Sequence, residues 1–67
     1  MSQFKPEVTA AVDAALIEGR SLKELLKFNL EFMGFMLMAG REEEANFAYQ
    51  KAQYLTTLLP DDVTEQV

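Results

Sequence analysis

The sequence predicts an all-α fold of three helices, dominated by an antiparallel hairpin of the second and third. Three observations lead there. Apolar residues recur at helical spacing in three successive segments. A capping signal, Ser21 with Glu24, opens the second segment. Gly19, Gly40 and Pro60 stand where the segments end. The expected layout is one helical domain over residues 1–60, with helices at about 6–18, 22–39 and 42–59, and a polar tail over 61–67.

The first helix starts at Pro6, whose missing N–H costs nothing at a first helical position, and Glu7 suits the positive end of the helix dipole. Val8, Ala11, Val12, Ala15 and Leu16 then share one narrow face. So light an apolar load predicts a clip laid on the other two helices rather than a core element. Gly19 is a natural stop, with Arg20 beside it.

In the second helix the Ser21 hydroxyl is expected to accept from the N3 amide, while Glu24 reaches back to the serine N–H. Its apolar residues, from Leu22 through Leu37, spread over an arc of roughly 220° at about 100° per residue. An ordinary surface helix shows a stripe little wider than about 100°. Lys23, Glu24, Lys27 and Glu31 mark a solvent face that ends at Gly34 and Met38. Two flanks result: an aromatic ridge of Phe28, Phe32 and Phe35, and an aliphatic one of Leu26, Leu30, Met33 and Leu37. Met33, Met36 and Met38 add unbranched thioethers that repack around different partners.

Glu42, Glu43 and Glu44 occupy the first turn of the third helix, where carboxylates favour the dipole. Ala45, Ala48, Tyr49, Ala52, Leu55 and Leu59 form a stripe expected to pack on the second helix. Phe47, Tyr54 and Leu58 lie about 140° away by the same arithmetic and have no evident internal partner. Burial under the first helix or the tail is the structural alternative to a docking surface there.

Gly40, Ala45, Tyr49 and Ala52, within GREEEANFAYQKAQYL, give this segment a pattern that resembles the second half of a tetratricopeptide repeat. That family places a glycine at the inter-helix turn, then acidic residues, then small, aromatic and small positions along its second helix. Met33 stands where the family prefers a small residue, and Thr57 where its closing proline falls. The chain holds no second copy, and repeat arrays need several. The resemblance therefore implies a helical hairpin of that shape, not repeat-type peptide recognition. In length, hairpin layout and glycine turn the chain is also similar to the small co-chaperones of type III secretion systems. That likeness implies docking on a partner protein, with no residues carried over.

Composition narrows the function classes. Sixty-seven residues bury a thin core, and chains this short often need disulfides, a metal or a partner. With no cysteine and no histidine, disulfides, thiolate sites and the commonest general base are all missing. The net charge of −5, from eleven acidic and six basic residues, opposes phosphate-backbone binding and attraction to anionic membranes. The longest apolar-rich run, Phe28 to Ala39, falls well short of the roughly 20 residues of a membrane span. No targeting segment is read between Met1 and Arg20, so a cytoplasmic chain is expected.

The site checklist for an enzyme finds no nucleophile–base pair, no phosphate loop and no metal-ligand set. No catalytic, cofactor-binding or metal residue is therefore assigned. A small helical DNA-binding regulator is disfavoured, because the candidate recognition helix opens on three glutamates. The remaining expectation is a non-enzymatic helical interaction module, an adaptor, co-chaperone or inhibitor. Its partner-binding residues are expected to be Phe28, Phe32, Phe35, Met38, Phe47, Tyr54 and Leu58. A homo-oligomeric structural or regulatory protein is the alternative, so the partner is either a second copy or a different protein.

Overall fold

A computed structural model describes residues 4–59. The expected tail at 61–67, Pro60 and the first three residues lie outside them. The described chain holds three helices and no strand: α1 (Pro6–Ile17), α2 (Leu22–Met38) and α3 (Glu42–Leu58). Each ends one residue before the position suggested by the sequence.

The helix ends follow local chemistry. Ser21 Oγ accepts from the Glu24 amide at 3.1 Å, as a capping box requires. The reciprocal half differs from expectation, because the Ser21 hydroxyl donates to the Glu24 carboxylate at 2.9 Å and the backbone N–H is not used. Both turns close in the same way. Gly19 and Gly40 take left-handed φ values of 98° and 75°, which glycine adopts without steric cost. The glycine amides bond to Leu16 and Leu37, and the following arginine amides bond to Ala15 and Met36. These are Schellman pairs, which satisfy carbonyls otherwise orphaned at a helix end. At the α3 start, Arg41 pairs with Glu44 one turn on. The Glu44 backbone amide first, and the Arg41 side chain second, hold the Glu44 carboxyl below the usual carboxylate range.

The α2–α3 interface is the most extensive, consistent with a hairpin. Ala45, Ala48 and Ala52 are buried along α3, and Leu55 continues the stripe. Small side chains let two helix backbones approach closely, and the larger Leu55 packs with Val12 and Leu25. Tyr49 departs from the expected stripe: it is half-exposed, and its hydroxyl accepts from Gln53 Nε2 at 3.1 Å.

The first helix does more than the light apolar count suggested. Val8 and Val12 are among the most buried side chains, so α1 is a core element and not a clip. Val12 joins Leu25 and Leu55 in one cluster, with Ala15, Leu16, Leu22, Leu26 and Tyr54 packed around it. Burying a valine or leucine side chain stabilises by roughly 1.5–3 kcal/mol. Two valines at almost complete burial thus outweigh the three partly covered residues on the same narrow face, Ala11, Ala15 and Leu16. Most of the α1 contact is with α3 and little is with α2. This asymmetry leaves the α1-facing flank of α2 open.

Candidate functional site

The open surface of α2 lies on both flanks of its buried face. Leu25 and Asn29 point inward, and at 100° per residue Phe28 and Phe35 fall on one side while Leu30 and Leu37 fall on the other. Phe28 is 59% exposed, Phe35 66% and Met38 87%, and Leu30 and Leu37 are exposed as well. Phe32 is half-buried and stacks on Phe28, with ring centroids 6.0 Å apart. One helix therefore presents five exposed large apolar side chains. Singly scattered apolar residues are ordinary on a surface, whereas a contiguous set marks an interaction site.

Gly34 sits in the middle of this surface. A shallow depression over it is walled by Leu30, Phe35, Met38 and the stem of Glu31. A Cβ placed on Gly34 would meet nothing within 4 Å, so no packing inside the chain requires a glycine there. Glycine within a helix costs about 1 kcal/mol relative to alanine.

The third-helix group divides. Tyr54 is held within the chain: its ring lies 5.4 Å from that of Phe4, and its hydroxyl donates to Asp13 Oδ1 at 3.3 Å. Burial first, then the Asp13 carboxylate, push the Tyr54 phenol above its ordinary pKa. Phe47 is half-buried beneath the Lys51 ammonium, 4.8 Å from the ring centroid. Leu58 is exposed. Thus Phe28, Phe35 and Met38 share one open helix with half-buried Phe32, while Phe47, Tyr54 and Leu58 form no continuous patch beside them.

A second feature is a groove of about 420 Å³ between α1 and α2. Val12, Leu25 and Phe28 supply apolar lining, and Asn29 and Lys51 supply polar groups. Asn29 is 4% exposed. Its Nδ2 donates to the Leu25 carbonyl at 2.8 Å, and its buried Oδ1 has no hydrogen-bond partner among the described residues. Lys51 is half-buried, whereas every other lysine and arginine of the described residues is exposed. Burial pulls its ammonium below the ordinary lysine pKa, and no carboxylate of the described residues forms a salt bridge with it.

Neither Asn29 nor Lys51 was singled out from the sequence. A signal was present for the first: Asn29 falls four residues after Leu25 and four before Met33, in a core-facing register. Lys51 carries no such mark, since its burial depends on where α1 lies.

Among the described residues no group of three or more acidic side chains converges to hold a metal ion, and no helix is long and apolar enough to cross a membrane. No protein-family model, curated protein or solved structure matches the chain.

Proposed function

We propose that the chain is a non-enzymatic helical interaction module, an adaptor, co-chaperone or inhibitor that receives another protein on the exposed surface of α2. Gly34 carries this reading. A mid-helix glycine with no internal steric role, ringed by exposed Leu30, Phe35 and Met38, suits the close approach of a second backbone. The neighbouring thioethers and the Phe28–Phe32 stack give that approach a large apolar area. The earlier expectation for Tyr54 is not carried into this surface, because its ring and hydroxyl are already engaged. A helical co-chaperone in the cytoplasm is the context that this surface and the small acidic chain fit best.

The test is Gly34→Ala together with Phe35→Ser. Alanine should raise thermal stability, because helix propensity improves by about 1 kcal/mol and the added methyl meets open space. The same change should weaken partner capture from the native host, as should Phe35→Ser. Full capture by both variants would sink the reading. Mass determination in solution separates the alternatives: a micromolar monomer excludes the homo-oligomer.

A further inference from the structure

From the groove between α1 and α2 we infer a peptide-binding site, whose occupant is a segment of a partner protein carrying an acidic side chain next to an aliphatic one. The inference rests on the interaction-module reading and adds the chemistry of what is bound. It begins with Asn29. Asn29 lines the groove at 4% exposure, and its Oδ1, a buried acceptor without a partner among the described residues, would be satisfied by a donor pressed in from the groove. The Asn29 Nδ2 gives one N–H to the Leu25 carbonyl, and the unpartnered Oδ1, a carbonyl oxygen, can only accept. A peptide backbone N–H meets that demand, whereas a lipid carboxylate ionised at neutral pH offers no donor.

Lys51 sets the charge of the occupant. It is the half-buried cation of the described residues, desolvated and without a carboxylate, and it lines the same groove. A carboxylate from the occupant would offset its lost hydration and form the stronger, charge-assisted kind of hydrogen bond. The groove edge adds Arg20 and Glu24. Glu24 already accepts from Ser21, and exposed Arg20 stands 3.8 Å from Glu18. Val12, Leu25 and the open face of Phe28 suit an aliphatic side chain beside the acid. At about 420 Å³ the groove falls within the size range of ligand clefts, roughly 300–1,000 Å³.

The experiment selects a display library of random 12-residue peptides against the full chain, then titrates the enriched peptides into isotope-labelled protein by NMR. Enriched sequences should carry Asp or Glu next to Leu, Ile or Val, and binding should move the Asn29 side-chain amide signals. Lys51→Met and Asn29→Leu should each weaken binding at least tenfold. Replacing the peptide acid by its amide should cost the native chain the same factor and cost Lys51→Met nothing. Enrichment without acids, or binding indifferent to Lys51→Met and Asn29→Leu, overturns the inference. Peptides lost with Phe35→Ser but kept by Lys51→Met would overturn it while leaving the interaction-module reading standing. Preference for dodecanoate over every peptide would overturn it in favour of a lipid site.

Discussion

Replacing Asn29 by leucine should make the protein more stable, by about 1–2 kcal/mol. A buried acceptor without a partner costs about 1–3 kcal/mol, and the Asn29 Oδ1 is such a group among the described residues. The exchange also gains a few tenths of a kcal/mol in helix propensity. Against this stands the bond from Nδ2 to the Leu25 carbonyl, with a net worth of about 1 kcal/mol. That carbonyl lies within α2, where the ladder bond from residue i+4 still satisfies it after the side chain is gone. Overpacking is averted because the position borders an open groove. For a domain of 60–100 residues, 1 kcal/mol shifts the melting temperature by about 4–8 °C. The expected gain is therefore on the order of 5–15 °C in a thermal melt followed by far-ultraviolet circular dichroism. A lower melting temperature with unchanged helicity in the cold would refute the reasoning, since both ends of the amide would then be bonded in solution.

Leu55→Ala and Leu25→Ala should each cost about 3 kcal/mol in urea unfolding, because both side chains belong to the buried cluster. Phe32→Ala should fall at or just below the low end of the 3–5 kcal/mol of a fully buried phenylalanine, about 2–3 kcal/mol, since part of its ring is exposed; a cost under about 1 kcal/mol at any of the three positions would contradict the core described. Gly40→Ala should lose about 1–2 kcal/mol, the penalty for a left-handed L-residue, at a φ of 75°, and an unchanged melt would show that the turn re-forms differently. Tyr54 is raised in the folded state, so its contribution is fully present below about pH 10 and lost as pH climbs through the folded value. Tyr54→Phe should flatten that alkaline limb. The lowered Lys51 acts oppositely, with stability rising with pH between its folded value and the ordinary lysine value, a slope that Lys51→Met should abolish.

Helix limits were legible because they are set by neighbours in sequence. Ser21 with Glu24, and the two glycines before arginine, write their bonds within a few residues of themselves. The alanine stripe of α3 was legible for a similar reason, since small residues at helical spacing have one obvious use. What the periodicity did not reveal was which helix covers which flank. The Phe47, Tyr54 and Leu58 register is equally consistent with docking outward and packing inward, and only the crossing of α1 over α3 assigns Tyr54 to the inside. The same crossing turns Val8 and Val12 from a light stripe into core. It also leaves Asn29 at the edge of a groove and half-buries Lys51. The candidate site was thus half visible: the aromatic and methionine ridge lies in the one-dimensional pattern, whereas the polar floor of the groove exists only through tertiary packing.

The two short glycine–arginine turns and the distant docking of α1 impose an order on assembly. The α2–α3 contacts are closed by a turn of three residues, while the bond from Tyr54 to Asp13 closes a separation of 41. Loop-closure entropy is smaller for the first than for the second, so the hairpin is the natural nucleus and α1 the last element to settle. An element that settles last is also the first to lift away. Native-state hydrogen exchange should then find the amides of Val8 to Leu16 opening at lower free energy than those flanking Leu25 and Leu55, as a separate cooperative unit. Each such opening removes the Val12 wall of the groove, which ties occupancy of that groove to the tethering of the first helix.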